Sequence, residues 1–176
     1  MVYVDACEIH LHPRLAKMWQ KRGRPVRVPA AGADRKFVVF GALDYASGQV
    51  HWQLSLRKDS HAFVAFLEQL RQTWPDEKLV VVLDNVGYHK SRQTLAWWQQ
   101  WQDRLCPFFL PAYTPELNLM ERVWRYVKER LSCHRWWADW QALWEATAAL
   151  LGHLQARFHP TTRPGIAVVQ NFCAST

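Results

Sequence analysis

The sequence predicts an α/β fold, a mixed five-stranded sheet with helices on both faces and a further C-terminal helix. Three observations carry this expectation. The first three strand patterns have no helix between them, later helical and strand patterns alternate, and residues 79 to 83 are apolar throughout, as in a strand covered on both faces. A chain of 176 residues is long enough for one domain with a real core, and 49% hydrophobic against 21% charged residues excludes a disordered or fibrous chain.

Residues 1 to 7 read as a short strand ending around Asp5. The stretch from Arg14 to Lys36 is basic and broken by Gly23, Pro25, Pro29 and Gly32, so no long regular element is expected there. Residues 37 to 43 form an apolar run, and after a turn at Ser47-Gly48 the apolar Val50, Trp52, Leu54 and Leu56 alternate with polar residues, which predicts a hairpin. Ser60 is the expected N-cap of a helix whose inward stripe is Phe63, Phe66, Leu67 and Leu70. The buried strand 79 to 83 stops at Asp84. Ser91 caps a second helix with Leu95, Trp98, Trp101 and Leu105 inward, and residues 106 to 110 make a short strand. A third helix is predicted over 118 to 131 and a fourth over 139 to 157, followed from His159 by a loose tail.

The net charge of +7 is uneven. Residues 1 to 36 carry +5, residues 37 to 120 carry −1 and residues 121 to 176 carry +3. Basic ends around a balanced middle suit a polyanion whose phosphates gain from Lys and Arg by counterion release. No apolar run approaches the roughly 20 residues of a membrane helix, and the start lacks the layout of a secretory signal, so a soluble cytosolic protein without membrane partners is expected. Four scattered cysteines build neither a disulfide framework nor a zinc site; Cys7 with His10 and His12, or Cys133 with His134, supply too few well-spaced ligands.

Asp5 and Asp84 end two strands. If those strands are parallel neighbours, both carboxylates emerge at the same sheet edge, where open α/β folds place ligands, and two adjacent carboxylates repel unless they hold a cation. Each alone is as readily a turn former. Glu121 reads two ways as well: it completes a capping box with Asn118 and an i, i+4 pair with Arg125, or it adds a third carboxylate beside Arg125 and Lys128.

Three separated blocks narrow these readings. Leu83-Asp84-Asn85 with His89-Lys90-Ser91, then residues 110 to 118, Leu-Pro-Ala-Tyr-Thr-Pro-Glu-Leu-Asn, leading into Glu121-Arg122-Val123-Trp124, resemble the signature of D-D-E transposases. Residues 5 to 25, with Ile9-His10-Leu11-His12-Pro13, and Gly41-Ala42-Leu43-Asp44 resemble the first-aspartate block and following strand of the bacterial insertion-sequence branch of the mariner-like superfamily. The resemblance spans roughly residues 1 to 135.

This resemblance implies a ribonuclease H-like catalytic domain over 1 to 135, with a C-terminal helix and tail over 136 to 176. It implies a catalytic and metal-binding triad of Asp5, Asp84 and Glu121, with 36 residues between the last two members, close to the spacing the family keeps. The implied cofactor is Mg²⁺ or Mn²⁺, as two ions, and the implied reaction is cleavage and strand transfer of DNA at the ends of an insertion sequence. His89 and Lys90 are expected to orient the scissile phosphate, though His89 reads as readily as a packing residue at the helix entry, with Arg14, Lys21, Arg22, Arg24, Arg27, Arg122, Arg125 and Lys128 on the DNA backbone.

Ala6 stands where many relatives have a second acid, and Leu119 where many have Pro. Relatives usually carry a helix-turn-helix module before the first Asp, and four residues precede Asp5 here. A separately encoded helix-turn-helix protein and a second copy of the chain are therefore candidate partners beside double-stranded DNA. The location implied is the nucleoid within a bacterial cytoplasm. Two alternatives stay open: another ribonuclease H-like nuclease, and a catalytically silent truncated transposase that binds DNA or dimerises. Of the 11 tryptophans, Trp98, Trp101, Trp124, Trp140 and Trp144 are expected in the core, and Trp97, Trp136 and Trp137 on the surface.

Overall fold

The structure, a computed structural model, describes residues 1–13, 19, 21–22, 27, 33–133 and 135–157. The tail from His159, Arg14 and Arg24 lie outside the described residues. Among the described residues five strands, β1 (Val2–His10), β2 (Lys36–Asp44), β3 (Val50–Ser55), β4 (Leu79–Leu83) and β5 (Leu105–Phe109), form one sheet in the order β3-β2-β1-β4-β5. The first three are antiparallel, while β4 runs parallel to both β1 and β5. Among the described residues four helices, α1 (Ser60–Thr73), α2 (Arg92–Gln100), α3 (Met120–Ser132) and α4 (Trp140–Arg157), cover it, giving the mixed sheet expected.

Strand alternation sorts the core into two layers. Val2, Val4 and Ala6 of β1, Val38 and Phe40 of β2, and Leu79, Val81 and Leu83 of β4 face α1 and α2, meeting Phe63, Phe66, Leu70 and Trp98. Cys7 and Ile9 of β1 and Phe37 and Val39 of β2 face α3 and α4, meeting Trp124, Val127, Leu143 and Leu151. Gly41 is required by this second layer. A Cβ there would lie 2.6 Å from Met120 Cε and 2.6 Å from Trp124 Cη2, so the missing side chain lets α3 approach β2.

Several local expectations change in three dimensions. The first strand does not end at Asp5 but continues to His10, because β2 pairs with its whole length from Val2↔Asp44 to His10↔Lys36. The N-cap of α1 is Asp59, not Ser60; its extended backbone aims the carboxylate at the Ala62 N–H, 2.9 Å away. Ser91 caps α2 as expected, yet Leu95 is exposed and Trp97 is buried against Trp98 at 5.2 Å between rings. The stripe is rotated because Thr94, not Leu95, faces inward and donates its hydroxyl to the Tyr88 carbonyl. Leu105 belongs to β5, and Val80 of β4 is exposed because α3 and α4 do not reach that half of the sheet. Pro107 fits β5 because β5 is an edge strand.

Trp136 is exposed, whereas Trp137 donates its indole N–H to the Leu131 carbonyl at 2.7 Å and packs on the second layer. Among the described residues no helix is long and apolar enough to cross a membrane.

Candidate active site

The parallel pairing of β1 and β4 sets the site. Val2 pairs with Val81 and Tyr3 with Val82, and continuing that register brings Asp5 opposite Asp84 just past the paired residues. Both point to the α3 side of the sheet by alternation, and Glu121 enters from the first turn of α3. The three carboxylates line one cavity of about 470 Å³, with Asn85, Asn118 and the loop Leu110 to Pro115 completing its wall.

Asp5 is the most perturbed of the three. Burial, and then the neighbouring Glu121 and Asp84 carboxylates, raise its pKa to about 7, against the opposing Ala6 N–H, which donates to Oδ1 at 2.8 Å, and the Lys58 charge. Asp84 behaves differently. Burial pushes it up, but the His89 hydrogen bond, together with the Val86 N–H and the Lys58 charge, outweighs burial and holds it below the usual carboxylate range. The His89 Nδ1 lies 2.9 Å from Asp84 Oδ1 and 3.2 Å from the Asp84 carbonyl, and the Val86 N–H donates to the same carboxylate at 3.3 Å.

The structure takes the packing reading of His89. The ring is 1% exposed, in the turn Gly87–Lys90, packed against Phe63 and Tyr88 at 4.3 and 4.4 Å between centroids. It grips Asp84 from beneath. Nε2 is buried without a partner, so the proton belongs on Nδ1, where two acceptors share it. Lys90 stays exposed, donating to Asn85 Oδ1 and lying over the Phe109 ring, while Asn85 in turn donates to the Leu110 carbonyl.

Asn118 is not the N-cap of α3. It is 3% exposed; its amide donates to the Val4 carbonyl at 3.0 Å and its Oδ1 accepts from the Met120 N–H at 3.1 Å. It thereby ties the start of α3 to β1 beside Asp5. Among the described residues Glu121 makes neither a capping box nor an ion pair with Arg125, and it remains exposed at the cavity. Lys128 turns toward Cys7, whose thiol pKa burial raises to about 11 although Lys128 opposes the rise. Lys21, Arg22, Arg27, Arg122 and Arg125 are exposed.

Sequence reasoning missed Lys58. Its ammonium donates to the Ala6 carbonyl at 3.3 Å and lowers the pKa of Asp5, Glu8 and Asp84, so its charge is felt by two of the three carboxylates. No local pattern marks it, because it reaches β1 from 52 residues away.

No three His, Cys, Asp or Glu side chains among the described residues converge into a ready-made metal cluster. The donor set nevertheless fits a hard divalent cation: three carboxylates from separate elements around one cavity, one of them raised to about 7 by burial and then by the other two.

A family model described as DDE superfamily endonuclease matches residues 1–143. The chain is 32% identical over 143 residues to a protein of Shigella sonnei, "Insertion element IS630 uncharacterized 39 kDa protein", covering 80% of this chain and 41% of that one. Among solved structures, the Mos1 transposase paired-end complex with left transposon end aligns at a TM-score of 0.64 and 13% identity, over 97% of this chain and 55% of the other. The Mos1 mariner paired end complex with Mn aligns at 0.68 and 13%, over 97% and 53%. The matched region is thus about half or less of each of these relatives. The likeness shows the ribonuclease H-like fold that the sequence implied.

Proposed function

The chain belongs to the DDE superfamily endonuclease family, and we propose that it is the catalytic domain of an insertion-sequence transposase, cutting DNA strands at element ends and joining them to target DNA. The observation that carries this reading is the meeting of Asp5, Asp84 and Glu121, from three separate elements, at one cavity. The Shigella sonnei relative is the product of an insertion element, and the Mos1 complexes hold transposon-end DNA in one case and Mn in another.

Asp5 and Asp84 would hold Mg²⁺ or Mn²⁺, as two ions, with Glu121 completing one coordination shell. Such ions make a nucleophile of water or a 3′-hydroxyl and neutralise charge on the leaving oxygen. The residues around them prepare the site. His89 fixes the Asp84 carboxylate from below, Asn118 fixes the start of α3 against β1, and Lys58 supplies a positive charge felt by Asp5 and Asp84. Lys90, Arg122, Arg125 and Lys128, with Lys21, Arg22 and Arg27 and with Arg14 and Arg24, would grip the phosphates on either side. The catalytic domain is residues 1 to 135, carried with the C-terminal residues 136 to 176. Its partners are double-stranded DNA, a second copy of the chain and a helix-turn-helix DNA-binding module, working at the nucleoid.

The test is strand cleavage and joining on a duplex bearing the element's terminal repeat, with and without Mg²⁺, comparing the wild-type chain with Asp84→Asn. Activity that requires the ion and is lost in Asp84→Asn is expected. Equal activity in both proteins would overturn the assignment.

A further inference from the structure

Tyr113 is, among the described residues, the one non-glycine residue with a left-handed backbone, at φ 60°. Its side chain is 101% exposed, so the ring packs on nothing. Both features are unfavourable for an aromatic residue: the conformation suits Gly or Asn, and the apolar ring stays in water. The loop around it is nevertheless braced. Thr114 donates its hydroxyl to the Pro111 carbonyl at 2.8 Å, and Asn85 donates to the Leu110 carbonyl. A held loop thus presents a bare ring on the wall of the cavity that Asp5, Asp84 and Glu121 line. Strain and exposure concentrated at one residue of a site point to a ligand that the residue meets there.

We propose that Tyr113 is a stacking platform for an unpaired nucleobase next to the phosphate that enters the carboxylate cavity, an inference that rests on the DNA-cleaving reading above. The chemistry selects this ligand. The cavity itself is acidic and takes the cation-bound phosphate, whereas a neutral aromatic face beside it offers nothing to a phosphate and much to a flat base. Within a duplex both faces of a base are covered by its neighbours, so only a base that is frayed, flipped or single-stranded can use the ring. Aromatic stacking tolerates any base, so the platform would hold the strand without reading sequence.

The experiment uses the full chain and a short DNA duplex whose unpaired 5′ end carries 2-aminopurine, in Ca²⁺, with the blunt duplex of the same sequence as reference. The wild-type chain and Tyr113→Phe should quench the probe and bind the unpaired end more tightly than the blunt one. Tyr113→Gly should lose the quenching and about tenfold of that affinity, with blunt-duplex binding within twofold of wild type. Glycine suits φ 60°, so a melting temperature at or above wild type is expected and unfolding is separated from lost stacking. Quenching by Tyr113→Gly equal to wild type, or equal losses on both duplexes, would overturn the stacking role. If the wild-type chain cleaves DNA in Mg²⁺ while Tyr113→Gly quenches normally, only the stacking role fails. If the wild-type chain neither binds nor cleaves either duplex, the underlying reading fails with it.

Discussion

At Asp84 one carboxylate oxygen is committed to His89 and the other side of the group faces the cavity. A buried imidazole that donates Nδ1–H to a carboxylate fixes its rotamer, as outer partners do around metal ligands. His89→Ala should therefore weaken Mg²⁺ binding and lower kcat by about 10- to 100-fold while the KM for DNA stays near wild type. Titration calorimetry with Mg²⁺ and steady-state cleavage kinetics measure the two effects. A raised KM with unchanged kcat would instead indicate direct phosphate contact. The sequence offers both a packing residue and a phosphate contact at His89 without deciding between them. The Asp84-Asn85 and His89-Lys90 block is legible as a motif, but only the turn Gly87–Lys90 shows that His89 folds beneath the strand while Lys90 stays outside.

The helix α3 depends on two residues outside it. Gly41 lies directly across from Asp5 in the β1–β2 ladder, and its missing side chain admits Trp124. Gly41→Ala places a methyl group 2.6 Å from Trp124 Cη2, an overpacking expected to cost about 1–3 kcal/mol and to shift the start of α3 away from Asp5. Thermal melting and cleavage measured together should both fall, and a variant with wild-type values would show that α3 can settle elsewhere without harm. The inward stripe of α3, Met120, Trp124, Val127 and Leu131, is legible from spacing alone. Its cap is not. Asn118 and Glu121 have the spacing of a capping box, but the amide of Asn118 finds the Val4 carbonyl, a partner 114 residues away, and the long-range bond wins. The same limit explains α2, where helical spacing favoured Leu95 and the Tyr88 carbonyl drew Thr94 inward in its place.

For the whole molecule, the architecture was the most legible level, since strand patterns without intervening helices and one wholly apolar strand already specify a mixed sheet. The pairing that matters most for the site was legible only as a condition, that the strands of Asp5 and Asp84 be parallel neighbours, and they are. Their proximity should appear in global stability. Asp5 binds a proton in the folded chain up to about pH 7 but in the unfolded chain only to about pH 4, so between these values the native state carries more protons and stability falls as pH rises. His51, whose pKa burial lowers, acts in the opposite sense below its ordinary value. The contribution of Asp5 is therefore read as a difference from Asp5→Asn. In EDTA, the wild-type melting temperature relative to that variant should drop from pH 5 to pH 7.5, and Mg²⁺ should restore it at pH 7.5 but not at pH 5. A difference independent of pH would remove Asp5 from the account.

The short pairing of β1 with β4 has a mechanical consequence. Nine residue pairs join β1 to β2, but the β1–β4 seam is two pairs long, and Asp5 and Asp84 sit where it forks. The sheet is thus an antiparallel panel and a parallel panel stitched over a small fraction of their length, with the carboxylates at the open end of the stitching. A ligand held between them adds, in effect, a third rung to that ladder. Filling the site and fastening the two panels together are then one event.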